Sequence, residues 1–478
     1  MRPSSSKIAI ALIILSVALF NITTIREGHT WGDDFCMYIL HARNISEGID
    51  YRDTGYIYNP FSPWIGPRIY PPVFPVLLAP VYKLFGLNLK VMKIEIIIFF
   101  ALSLFIFFII FRTELSTKYL VAVIAVIGFN PYFWSFKNNI LSDIPFLCFV
   151  YASLLLIDRA HNSSKSQKQV YLQGIAAGLL IYLSYGIRTL GGVLLLSLLI
   201  FVIIRYRKLT HFTLIASFLS VLLMVLQSIL FPGIGGYLDQ ASLSIKTILT
   251  NLDQYTLSLF AIWDNGYSKN LALSVIICCL AFIGYLSRVR DRITVFEIFP
   301  LLYMMPVMIW PSYQGTRFLI PIIPLYIFYA FVGIEKGIRF VGEKTKEAAF
   351  IILVVAIFFS YISKYAKLDY GPIKEGITKK ESVELFSYIK EHTRKDDVFI
   401  FLKPRALALY TNRRASAYHW PKDKKHLLNY FNKIGAKYFA FFPRHEPYLQ
   451  GFVSKYNNIF KLIYSNADFK MYSINNLS

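Results

Sequence analysis

Two adjacent carboxylates, Asp33 and Asp34, sit in the stretch TWGDDFCMYILHAR at residues 30–43. Asp34, Tyr38 and Ala42 follow at i, i+4 and i+8, so they share one face of a short helix. Asp33 stands where an N-cap would, either accepting the first orphan backbone N–H groups or solvated. A third carboxylate, Asp143, lies in NNILSDIPF (138–146) at the start of an apolar run, where it or Ser142 could equally cap a helix. Arg68 opens RIYPPVFPVLLAPVYKLFG (68–86), Arg188 lies in YGIRTLGG (185–192), and Arg317 lies in WPSYQGTRFLIPIIPLY (310–326). Arg188 and Arg317 could each snorkel to lipid phosphates, the ordinary fate of a boundary arginine. Gathered at one interface, carboxylates and guanidiniums suit a reaction that deprotonates an acceptor and releases a phosphate.

What positions these groups is a membrane. The chain has 478 residues, of which 56% are hydrophobic and only 16% charged, and its mean hydropathy is +0.50. A soluble protein of this length would carry far more charge, so the bulk is expected in a bilayer. A span needs roughly 20 mostly apolar residues. Eleven such runs are read at 8–25, 93–111, 119–136, 140–157, 170–187, 190–204, 212–231, 270–287, 294–310, 318–334 and 348–363. Basic segments alternate with nearly uncharged loops, as at Arg205, Arg207 and Lys208 and at Arg288, Arg290 and Arg292. The positive-inside rule then puts the N-terminus in the cytoplasm, the C-terminus outside and every candidate above on the external face. The first run is expected to stay as an uncleaved anchor, because no clear A-x-A site follows it.

Two segments are long and external in this map: the first loop, 26–92, and the tail, 364–478. The prolines at 71, 72, 75 and 80 predict a broken juxtamembrane helix instead of a span. In the tail, 396–403 and 437–442 read as strands, 381–393 and 424–435 as helices. The expected architecture is therefore a polytopic α-helical membrane module over 1–363 and a small α/β external domain over 364–478.

Several chemistries are not supported. The formal charge of +22 falls mostly in short inter-span segments, which fits topology better than nucleic-acid binding. Cys36, Cys148, Cys278 and Cys279 are too few for a disulfide framework. No Cys/His cluster has zinc spacing, and no Gly-rich nucleotide loop occurs.

The pattern resembles the polytopic GT-C glycosyltransferases, in particular the branch of protein O-mannosyltransferases and lipid A aminoarabinose transferases. The match runs through Asp34, Tyr38, Ala42-Arg43, Gly48, Tyr51, Tyr70-Pro71-Pro72 and Leu84-Phe85-Gly86, then Asp143 before Pro145, and Arg317-Phe318-Leu319-Ile320-Pro321 with Pro324. Phe35 stands where that family has Glu, so either the acidic pair is shifted to include Asp33 or the second carboxylate is dispensable. The resemblance implies a sugar donor attached to polyprenyl phosphate and presented on the outer leaflet; the default location is the cytoplasmic membrane of a prokaryote. The acceptor is unidentified: lipid A, a core sugar, another lipid-linked glycan or a secreted protein. It also implies Asp34 as general base, with Asp33 and Asp143 as the other candidate catalytic carboxylates. Arg68, Arg188 and Arg317 would face the departing phosphate, with Tyr38, Tyr70 and Tyr313 around the substrate. Asp143 would orient the acceptor or help hold a divalent ion, since some such enzymes need a metal and others do not. A transporter or flippase would place its charges near the midplane and show repeats. An O-antigen ligase or polymerase would carry its large loop later in the chain.

Overall fold

The structure, a computed structural model, describes residues 3–160, 166–233, 244–337, 341–419 and 424–475. Helix α1 (Pro3–Thr23) leads into a segment held by two buried lysines. Lys93 donates to the carbonyls of Arg26 (2.8 Å) and Gly28 (2.5 Å), and Lys137 to that of Thr24 (3.0 Å). Thus anchored, the chain enters α2 (Asp34–Glu47), which stops at Gly48, left-handed at φ 70°, whose N–H returns to the Asn44 carbonyl. The Asn44 side chain then donates to the carbonyls of Asp50 (3.0 Å) and Asp53 (2.8 Å), fixing the turn ahead of strand β1 (Tyr56–Ile57).

The proline-rich segment forms one helix, α3 (Val73–Phe85), where a broken one was expected. Pro71 and Pro72 precede it, and Pro75 falls in its first turn, where no intrahelical donor is needed. Only Pro80 removes a hydrogen bond.

Next come α4 (Leu89–Phe111), α5 (Thr117–Gly128), α6 (Pro131–Phe136), α7 (Asp143–Ala160), α8 (Gln167–Ile187), α9 (Val193–Tyr206) and α10 (His211–Leu230). The second half of the bundle comprises α11 (Ile245–Ala261), α12 (Leu271–Asp291), α13 (Val295–Met308), α14 (Ile323–Val332) and α15 (Glu343–Tyr365). Among the described residues seven stretches are long and apolar enough to cross a membrane: Leu89–Phe111, Thr117–Phe136, Gln167–Ile187, Thr189–Tyr206, His211–Leu230, Leu271–Asp291 and Glu343–Tyr365. Helix α11, between two expected spans, was not anticipated. The run expected at 318–334 is α-helical only over α14, every residue of which is buried. Gly284 on α12 lets that helix lie directly on α14, since a Cβ there would overlap the Tyr329 carbonyl oxygen.

The tail contains α16 (Lys380–His392), β2 (Val398–Ile400), α17 (Pro404–Thr411), β3 (Arg414–Ser416), α18 (Lys424–Lys433), β4 (Ala436–Phe441), α19 (Pro447–Lys455), β5 (Phe460–Ser465) and β6 (Lys470–Ile474). Its sheet runs β1-β3-β2-β4-β6-β5, so one of its two edge strands comes from the first loop, pairing Tyr56 with Ala415 and Ile57 with Ser416 in parallel. Further ties dock the tail on that loop. Trp31 meets Phe386, Phe401, Phe442 and Phe469 edge to face, Arg26 pairs with Asp369 at 3.0 Å, and the Ile373 N–H donates to the Glu27 carbonyl at 2.9 Å.

Candidate active site

The site is assembled at one end of the bundle by elements far apart in sequence. Asp34 opens α2, and Tyr38 lies one turn on, its hydroxyl hydrogen-bonded to Ser142 Oγ (2.8 Å) and its ring stacked on Tyr70 at 4.8 Å. His41, on the same helix, aligns Tyr70. Its Nδ1 donates to the Tyr51 carbonyl (2.8 Å) and its Nε2 accepts from the Tyr70 N–H (3.3 Å). Full burial keeps this imidazole neutral, its pKa lowered to about 3. The Tyr70 hydroxyl then donates to Asp34 Oδ1 at 2.6 Å.

Arg188 ends α8 with extended backbone, and the tight turn Thr189–Gly192 follows. Gly191 packs there on the backbone of Ser184 and Tyr185 where a Cβ would not fit. Arg317 lies in the short turn Gly315–Leu319 before α14. Its Nη1 donates to Asp34 Oδ2 (2.7 Å), and its Nε to Asp143 Oδ2 (2.8 Å) and Oδ1 (3.0 Å). Arg188 Nη1 also pairs with Asp143 Oδ1. One guanidinium thus bridges two carboxylates while a second leans on the deeper of them.

These groups face a cavity of about 820 Å³, within the usual range for small-molecule sites. Asp34, Tyr38, Tyr70, Arg188 and Arg317 are on its wall, together with an apolar side that includes Leu196, Leu302 and Met305. The other expected residues lie elsewhere. Asp143 is 1% exposed and sits behind the two arginines, so it holds them in place and does not reach into the cavity. Arg68 is exposed and off the wall, whereas its neighbours Gly66, Pro67 and Tyr70 are on it. Tyr313 is also off the wall, its hydroxyl joined to Ser258 Oγ on α11 and its ring against Tyr255.

Asp33 does not cap its own helix: its backbone is already helical and its side chain makes no bond to α2. Its Oδ1 instead accepts the Ala406 N–H (3.2 Å) at the start of α17. Burial pushes its pKa up to about 6, against the opposing pull of Arg405 and Lys403. Asp34 is shifted the other way. Burial raises its pKa, but Arg317, Arg405 and the Tyr70 hydrogen bond together outweigh that and hold the carboxyl well below the usual range.

Sequence reasoning missed Arg405. Carried by α17, it is fully buried, and its Nη1 donates to the Tyr70 hydroxyl (2.8 Å) and approaches Asp34 Oδ1 (3.4 Å). Its Nη2 donates to the Pro67 carbonyl at 3.1 Å. The available signal was a lone guanidinium in the otherwise apolar PRALALY (404–410), and it lay in a segment read as a separate domain.

No family model matches the sequence, and a search of curated proteins finds no match. Solved structures do match. The Archaeoglobus fulgidus oligosaccharyltransferase in complex with Zn and sulfate aligns at a TM-score of 0.61 and 13% identity, over 97% of this chain and 73% of that one. The same organism's oligosaccharyltransferase AglB, in complex with an inhibitory peptide and a dolichol-phosphate, aligns at 0.60 and 12%, over 98% and 74%. ArnT from Cupriavidus metallidurans bound to undecaprenyl phosphate aligns at 0.60 and 11%, over 100% and 99%. The chain therefore shares the fold of these oligosaccharyltransferase and ArnT structures. A divalent ion does not fit the carboxylates present. The guanidinium of Arg317 already stands between Asp34 and Asp143, and among the described residues no group of three or more His, Cys, Asp or Glu side chains gathers.

Proposed function

We propose that this chain is an integral-membrane glycosyltransferase that moves a sugar from a polyprenyl-phosphate carrier to a hydroxyl of a lipid, glycan or protein acceptor. The observation that carries this reading is the convergence of Asp34 with Arg188 and Arg317 on one cavity that also has an apolar wall. A phosphate on a hydrocarbon chain needs cations at its head and apolar surface beside it. The polyprenyl phosphates bound to two of the similar structures support the same donor class.

In this proposal the acceptor oxygen bonds to the anomeric carbon, and the bond from that carbon to the carrier phosphate breaks with its electron pair left on phosphate. Arg188 and Arg317 stabilise that charge in a partly dry site. The hydroxyl proton passes to Asp34 and then to water. A carboxylate held this acidic is a weak base. It suffices where the transition state is oxocarbenium-like, because the hydroxyl becomes strongly acidic only as the new bond forms.

The reading extends to topology. Eleven spans with the N-terminus inside would put the cavity on the external face of a prokaryotic cytoplasmic membrane, where nucleotide sugars are absent. Residues 1–363 would form the membrane module and 364–478 an external α/β domain. The alternating basic segments support this map.

The test is mass spectrometry of whole lipid extracts from three strains: intact, deleted, and carrying Asp34→Asn. Accumulation of a polyprenyl-phosphate sugar in the last two, with loss of a glycosylated product, is expected. Unchanged lipids in all three, with the protein expressed, would overturn the reading.

A further inference from the structure

We propose that Arg405 is a positioning residue of this site, brought in by the tail to hold Tyr70 and Asp34 in register and to keep a positive charge on Asp34 when a phosphate engages Arg317. The argument starts from which cations a ligand can reach. Arg188 and Arg317 are on the cavity wall, whereas Arg405 is fully buried and off it. A phosphate entering the cavity competes with Asp34 for Arg317 Nη1. It cannot compete for Arg405 without displacing Tyr70. Asp34 therefore has one counter-charge that a ligand can borrow and one that stays.

The fixed charge is locked from four sides. The Pro67 carbonyl accepts from Nη2, the Tyr70 hydroxyl accepts from Nη1, and the rings of Tyr56 and Tyr70 lie 4.8 and 5.0 Å from the guanidinium carbon. Asp33 completes the enclosure, capping α17 through Ala406 and lying 3.7 Å from Arg405 Nε. The charged and titratable groups around Asp34 are thus Arg317, Arg405, Asp33, Cys36, Tyr38 and Tyr70, with Lys403 beyond Asp33. Because Arg405 lies on the tail, the tail finishes the site and does not merely sit beside it.

This inference rests on the reading of Asp34 as the group that meets the acceptor, so its test uses no substrate. Asp34 protonation is followed by infrared difference spectroscopy on the reconstituted full-length protein, its band assigned by loss in Asp34→Asn. At about pH 4, where an ordinary Asp is half protonated, wild-type Asp34 is expected to be ionised. Arg405→Gln is expected to raise its midpoint by about 1–3 pH units, the effect of one adjacent arginine, while Arg405→Lys returns it most of the way. Removing one member of a buried ion pair can prevent folding, so the double variant Asp33→Asn/Arg405→Gln, which leaves no unpaired buried charge there, carries the same expectation against Asp33→Asn alone. An Asp34 midpoint in folded Arg405→Gln that matches wild type, or in the double variant that matches Asp33→Asn alone, would overturn the proposal. Failure of the lipid analysis alone, with the titration as expected, would instead overturn the glycosyltransferase reading and leave the role of Arg405 in holding Asp34 standing.

Discussion

Asp33 and Asp34 are neighbours in the chain, yet their carboxylates serve different structures. Asp34 Oδ2 meets Arg317 at 2.7 Å on the cavity wall, whereas Asp33 Oδ1 takes the Ala406 N–H at the root of a tail helix. Their pKa values are driven in opposite directions as a result, Asp33 up to about 6 and Asp34 down.

The Asp33 shift sets a pH dependence whose sign can be worked out. An unfolded Asp titrates near 3.9. Between about pH 4 and 6 the folded protein therefore binds the extra proton, so Asp33 contributes stability at low pH that is lost as pH rises through about 6. Asp33→Asn, which keeps an acceptor for Ala406, should gain on wild type by about 2–3 kcal/mol between pH 4 and 7. Thermal unfolding of both proteins across that range checks this, and a constant gap would show that Asp33 ionises normally.

The expected arginines should separate by their place on the wall. Arg188→Gln and Arg317→Gln each remove a charge-assisted donor worth about 1.5–3 kcal/mol, so undecaprenyl phosphate should bind roughly 10- to 100-fold more weakly. Arg68→Gln, off the wall, should change binding by less than about twofold. Titration of the purified variants with undecaprenyl phosphate decides; equal effects at all three positions would reject the cavity as the phosphate site.

Gly284 gives a packing test. Any Cβ there meets the Tyr329 carbonyl of α14, so Gly284→Ala should cost about 1–3 kcal/mol by overpacking. An unchanged melting temperature would mean that the two helices are not in direct contact.

Trp31 tests the docking of the tail. Trp31→Ala removes the ring packed against four phenylalanines and should loosen the tail by about 3 kcal/mol. Limited proteolysis should then cut faster in the connection 366–379 between α15 and α16. No change in cutting rate would show that the remaining ties suffice.

The pairing of Asp34 with Tyr38 on one helical face was legible because both lie within two turns, and the apolar runs showed where long helices would form. The failures share a physical cause. Arg405 reaches Asp34 across 371 residues, and nothing local marks such a contact. Strand β1 has two residues, too few to show a period. The proline count in 68–86 misled because a proline's cost depends on its position in the helix: Pro75 sits where its missing N–H loses nothing. Asp33 was read as a local cap because capping is usually local; here the helix it caps is 373 residues away.

Strand β1 also bears on the order in which the molecule can be made. It is synthesised near the beginning of the chain, but the strand it pairs with comes near the end: Ser416 Oγ bonds to the Ile57 carbonyl across 359 residues. Until β3 has been made, the first loop has an unpaired edge, and neither Trp31 nor Tyr70 has its tail partners. An arrested or shortened chain would therefore present a bundle with its helices in place but with Tyr70 and Asp34 lacking Arg405. Arg405 can join Tyr70 and Asp34 only after the last hundred or so residues have folded back onto the first hundred, a long loop closure that belongs to the slow, late phase of folding.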